Sequence, residues 1–189
     1  MRLSLPAAAL LAALAGCAPD ASSPVAVHLL TLDFNDFACQ VQPVTATRCA
    51  MLACHGVQEH AFRVYAPGRL RMPPSGWPTT CQANSNCASG WYCVSGACEP
   101  TQQVHDAALS TAEAQANMAS MRGLASANDP VDQVPLLRKP LSPVLGGGEH
   151  VGGVIFQTTD DPGYQAIRAW LTGATMTGTC PTLQTLNGM

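Results

Sequence analysis

The reading turns on residues 37–56. Phe37-Ala38-Cys39-Gln40-Val41-Gln42-Pro43-Val44 leads through Arg48 to Cys49-Ala50-Met51-Leu52-Ala53-Cys54-His55-Gly56. Phe37, Val41, Val44 and Cys49 recur at roughly helical spacing, which predicts a helix from Phe34 towards His55. Pro43 lies within this run and can mark its true start, because proline lacks an N–H and is tolerated in a first turn. The run ends in two cysteines with four residues between them and a histidine directly after the second.

Two thiols and an adjacent histidine are the parts that attach a haem covalently. The thiols add across the two vinyl groups and the imidazole binds the iron, most often with the spacing C-x-x-C-H. Here the spacing is C-x4-C-H, and the longer loop must bulge to present Cys49, Cys54 and His55 to one edge of a ring. The same residues allow two other readings. Cys49 and Cys54 can close a local disulfide with His55 as a bystander. They can also ligate zinc, although no second Cys/His pair has zinc-finger spacing.

Outward from this stretch, the N-terminus has the layout of an export signal. Arg2 supplies one positive charge, Leu3 to Leu14 form a short apolar run, and Ala15-Gly16-Cys17 form a small-residue cleavage site. The run is too short to span a bilayer, and no second apolar stretch approaches that length. Leu14-Ala15-Gly16-Cys17 resembles the lipobox of bacterial lipoproteins. That resemblance implies cleavage after residue 16, lipidation of Cys17 and anchorage to a membrane through several acyl chains. Ala18 follows the cysteine in place of the Asp that favours inner-membrane retention, so the expected location is the cell envelope, at the outer rather than the inner membrane. The chain divides into a signal at 1–16, a tether at 17–31 of Ala, Ser, Pro and Val, one domain at 32–180 and a tail at 181–189.

Charged residues make up 11% of the chain, and losing Arg2 takes the net charge from −3 to −4. That excludes the basic face a nucleic-acid binder needs. Aromatic residues are 5%, so the core is aliphatic and modest, and it gains from covalent staples. Cys81, Cys87, Cys93 and Cys98 form a C-x5-C-x5-C-x4-C cluster in an insert at 79–100. Asn, Ser and Gly between them cannot bury a core, so two disulfides are expected there, holding a stapled loop or a small recognition knob. Phe62-Arg63-Val64-Tyr65 reads as extended. Thr111 to Leu124 reads as a helix capped by Ser110 or Thr111, and Pro135 to Pro140 as an extended loop. Asp160-Asp161-Pro162 caps a last helix in which Tyr164, Ile167, Trp170 and Leu171 share a face. Gly146-Gly147-Gly148-Glu149-His150-Val151-Gly152-Gly153 between them lets another group approach the backbone closely.

Three blocks together resemble the planctomycete-type cytochrome c domain. They are Phe37 to Gly56, then Leu136-Leu137-Arg138-Lys139-Pro140 with Gly147-Gly148-Glu149-His150-Val151-Gly152-Gly153, and Tyr164 to Leu171. The x4 spacing and the insert depart from the family pattern. The resemblance implies a mainly α, small cytochrome-c-like helical domain with long loops and a disulfide-rich insert. It also implies a c-type haem on Cys49, Cys54 and His55, with electron transfer to a redox partner at the envelope. The first and last helices would then cross, Phe37 and Val41 meeting Tyr164, Ile167 and Trp170, and a Cys39–Cys180 bridge would tie the two ends. Two residues offer the sixth ligand. His150 lies among glycines inside the better-matching block and is favoured; Met72, in Arg71-Met72-Pro73-Pro74, resembles a cytochrome methionine loop and would raise the potential. The alternative is a haem-free, disulfide-stapled lipoprotein acting as a binding or structural module. No enzyme is expected: Gly-x-Ser-x-Gly, His-Glu-x-x-His and a convincing carboxylate cluster are all missing from the sequence.

Overall fold

A computed structural model describes residues 30–125 and 127–174. The expected signal, the lipidation site Cys17, most of the tether, Cys180 and the tail lie outside them. Among the described residues no helix is long and apolar enough to cross a membrane.

The first helical run is continuous but changes pitch. Helix α1 (Phe34–Asp36) starts on Asp33, whose carboxylate accepts the Asp36 N–H at 2.8 Å. A π turn, Phe37–Val41, follows, and then α2 (Gln42–Arg48). Pro43 is the cause. It has no N–H for the Cys39 carbonyl, and the ladder widens so that the Gln42 N–H reaches Phe37 O. Pro43 therefore lies in the first turn of α2, inside a helical run that already begins at Phe34. The helix ends at Cys49, short of His55, and residues 50–56 are turns.

A hairpin of β1 (Trp91–Val94) and β2 (Ala97–Pro100) comes next, antiparallel, with Cys93 opposite Cys98. Its two-residue turn, Ser95-Gly96, has positive φ at both positions (49° and 88°), the conformation that follows strand twist. Disulfides Cys81–Cys93 and Cys87–Cys98 staple this lobe around Trp91, Cys87 and Ala88. Helix α3 (Gln102–Asp106) leads to α4 (Thr111–Arg122), which opens on a reciprocal cap: Ser110 Oγ accepts the Glu113 N–H, and the Glu113 carboxylate accepts the Ser110 N–H. The stretch at 135–140 contains a short helix, α5 (Pro135–Arg138), with Pro135 in its first turn, where the missing N–H costs nothing. Helix α6 (Pro162–Thr172) is capped by Asp161 and ended by Gly173 in the left-handed region.

The core lies where α6 meets the π turn. Phe37, Val41, Tyr164, Ile167 and Trp170 are all buried together. The Phe37 and Trp170 rings are 5.2 Å apart, and the Trp170 indole N–H donates to Asp33 O at 3.0 Å. Each such side chain contributes about 1.5–3 kcal/mol by leaving water.

The expected fold class is corrected by this architecture. Helix accounts for 39% and strand for 8%, with a two-stranded antiparallel sheet and a disulfide-rich region, so the domain is not mainly α. The reason is local. Proline and glycine interrupt the chain so often that, among the described residues, only the 34–48 run, α4 and α6 exceed ten residues, and the stapled hairpin supplies strand where a loop was expected.

Candidate haem site

Arg48 at the end of α2 fixes the start of the two-cysteine turn. Its Nη1 lies 2.8 Å from both carboxylate oxygens of Asp161, the α6 cap, and its guanidinium carbon sits 5.6 Å from the centre of the Phe156 ring. Beyond it the backbone closes tightly. Cys54 N–H donates to Met51 O, Gly56 N–H to Met51 O, and His55 N–H to Cys49 O. Gly56 is required here: a Cβ on it would lie 2.2 Å from Ala50 O. Residues 62–65, which belong to no helix or strand, then run beside His55, with Val64 N–H donating to His55 O at 2.7 Å. They are held from behind by buried Asn117 of α4, which accepts the Tyr65 N–H at 2.7 Å and donates to Tyr65 O at 2.8 Å.

The loop carrying His150 is pinned at its base. Ile155 and Phe156 N–H groups both donate to Pro140 O, and the Ser142 N–H donates to Phe156 O. At its tip it folds back on its own histidine, because a Cβ on Gly152 would lie 3.0 Å from His150 Cε1.

These elements enclose a cavity of about 380 Å³, within the range of small-molecule sites, about 300–1,000 Å³. Cys49, Cys54, His55 and His150 all line it. The rest of the wall is largely apolar, including Phe62, Met121, Leu124, Leu136, Ile155, Phe156 and Ile167. The structure thus brings together four of the residues singled out in the sequence, although His150 is 95 positions from His55. Met72 is not on this wall. Its N–H donates to the Glu113 carboxylate at 3.0 Å, beside the buried Arg71–Glu113 pair, which ties its backbone to the start of α4. Cys39 is disulfide-bonded; Cys180, its expected partner, lies outside the described residues.

The two histidines are prepared alike. His55 Nδ1 lies 2.8 Å from Phe62 O, and His150 Nδ1 lies 2.9 Å from Gly153 O. A carbonyl only accepts, so each Nδ1 carries the hydrogen, and in the neutral ring each Nε2 keeps a lone pair. This is the backbone support that orients metal-binding imidazoles. The ring centres are 6.0 Å apart with planes 22° from parallel. Burial lowers the His55 pKa, the hydrogen bond to Phe62 opposes this, and His150 and His60 lower it further. His55 is therefore neutral at pH 7.

Both cysteines are free thiols, so the local Cys49–Cys54 disulfide is not formed. Burial pushes the Cys49 thiol up to about 11; Arg48 opposes this and Cys54 adds to it. The group stays S–H at neutral pH, which disfavours thiolate chemistry, metal binding included. The sulfurs of Cys81, Cys87 and Cys98 also lie close together, but all three are in disulfides and offer no thiolate.

Sequence reasoning missed Met121, Phe156 and Ile167 as wall residues. Ile167 and Phe156 fall inside or beside the matching blocks, whereas Met121 had only its place on an alanine-rich helix. Compared with known proteins, the chain matches no family model, no curated protein and no solved structure.

Proposed function

We propose that the chain is a c-type haem-binding lipoprotein of the cell envelope that transfers electrons to and from a partner protein. The observation that carries this reading is the convergence of two free thiols and two backbone-oriented histidines on one apolar cavity.

Haem, when bound, supplies the one-electron redox chemistry. Cys49 and Cys54 would hold it through thioethers to its two vinyl groups, each S–H adding across one double bond, so that no oxidant would be consumed. His55 and His150, each with Nδ1 on a backbone carbonyl, would offer their Nε2 lone pairs to its iron, and histidine in place of methionine would keep the potential lower. Phe62, Phe156, Leu136 and Ile167 exclude water and shield the ring. Lipidated Cys17 anchors the protein, and residues 17–31 act as the tether to the membrane, on the outer-membrane side.

The test is the absorption spectrum of the full chain produced with c-type maturation machinery. The reading requires a low-spin haem spectrum, and a high-spin spectrum that recovers on adding imidazole in His150→Ala. A haem-free chain, from cells in which a control cytochrome matures, would overturn it and leave the disulfide-stapled binding module.

A further inference from the structure

Charge on the cavity wall is confined to two side chains, both cations: Arg48 and Lys139. They differ in one respect. Arg48 is neutralised by Asp161, with both oxygens at 2.8 Å. None of the ion pairs among the described residues involves Lys139. Lys139 is also the only lysine of the 189 residues. It stands directly after α5, exposed, with its N–H bonded to Pro135 O. Glycine at position 148 leaves room beside it, since a Cβ there would lie 3.9 Å from Lys139 Cα and Cγ. Lys139 thus both lines an apolar wall and is open to water. That is the place for an acid group on an otherwise apolar ligand, and the low-dielectric side strengthens the attraction.

We infer that Lys139 is the positioning residue for a carboxylate of the bound ring, so that the cavity selects a porphyrin with free acid groups. The inference rests on the haem reading and adds to it how the ring is turned within the cavity.

The test uses the full chain made without haem maturation, its fold checked by circular dichroism. Metal-free protoporphyrin IX and its dimethyl ester are titrated in parallel and followed by fluorescence. Neither probe needs an axial ligand or a thioether. The diacid should bind more tightly than the ester, and Lys139→Met should weaken the diacid by about two- to fivefold, as expected for one partly exposed charge pair, leaving the ester unchanged. Lys139→Arg should restore the preference, and 0.5 M KCl should shrink it. Equal binding of diacid and ester, an unchanged diacid affinity in Lys139→Met, or no binding of either probe would overturn the inference. Displacement of the porphyrin by equimolar laurate would also overturn it, by assigning the cation to a fatty acid. Covalent haem in the separately matured chain is read independently. If Lys139→Met matures normally and charge selectivity is missing, this inference fails and the haem reading stands.

Discussion

At the scale of single residues, the site depends on groups with no alternative. Arg71 and Glu113 are 5% and 2% exposed and meet through two hydrogen bonds, at 2.8 and 2.9 Å. Arg71 also donates to the carbonyls of Val104, His105 and Ala107. Arg71→Met would leave a buried carboxylate unpaired, and we expect it to cost about 3–5 kcal/mol in urea unfolding at pH 7. Burial raises the Glu113 pKa, but the hydrogen bonds from Arg71, Met72 and Ser110 and the Arg71 charge outweigh it, so the net shift is downward from 4.5. A depressed acid stabilises the fold above its unfolded pKa and loses that contribution as pH falls through the folded value. Urea midpoints should therefore be flat from pH 7 to about 5 as far as this group is concerned, and fall below 4.5. A Glu113→Gln variant, less stable throughout, should show a shallower acid slope. Gly56 gives a steric test. Gly56→Ala must push the Cys54–His55 turn off the Ala50 carbonyl, costing about 1–3 kcal/mol, visible as a lower Tm together with lower haem content after maturation.

At the scale of elements, the helix caps and staples make separable predictions. Asp161 caps α6 through the Gly163 N–H at 2.7 Å and holds Arg48 as well. Asp161→Ala should cost about 1–2 kcal/mol, and hydrogen exchange should speed up at the start of α6 before it does in the core. The stapled hairpin has its own small cluster of buried residues. Replacing Cys81 and Cys93 by serine should remove up to about 3 kcal/mol of local constraint. Exchange should rise across 81–98 and leave the haem spectrum unchanged. These elements also show what the sequence could reveal. Helix α6 was legible because its apolar face and cap agree, and α4 because a cap residue at Ser110 or Thr111 opens an alanine-rich run. The Phe37–Val41 segment was legible as helix but not as a π turn, since the effect of Pro43 on pitch depends on the chain before it. The hairpin was missed although Ser95-Gly96 between Tyr92-Cys93-Val94 and Ala97-Cys98 is a two-residue turn signal; the cysteine count drew the reading towards a loop. Helix α5 was missed because prolines at 135 and 140 leave too few residues for periodicity to register.

At the scale of the whole molecule, the site is an encounter of distant segments, and that is where local reading fails. Nothing near Met72 in the sequence states that Glu113, 41 positions on, claims its backbone. Nor does the glycine-rich loop state that its base bonds to Pro140 and thereby brings His150 to His55. The thiol–histidine turn and the His150 block were each visible alone, and the cavity between them exists only once α6 packs on the π turn. Whether Cys49 and Cys54 carry a haem or pair with each other is what separates the two accounts of this molecule, a haem carrier or a stapled binding module.

The most direct test denatures the full chain, purified from cells with c-type maturation, and follows haem through a denaturing gel beside Cys49→Ser and Cys54→Ser. We predict that haem stays with the wild-type polypeptide, is partly lost from either single variant and is wholly lost from the double variant. Haem that separates from the wild-type chain on denaturation, or a wild-type chain that carries none beside a matured control cytochrome, would contradict the central claim.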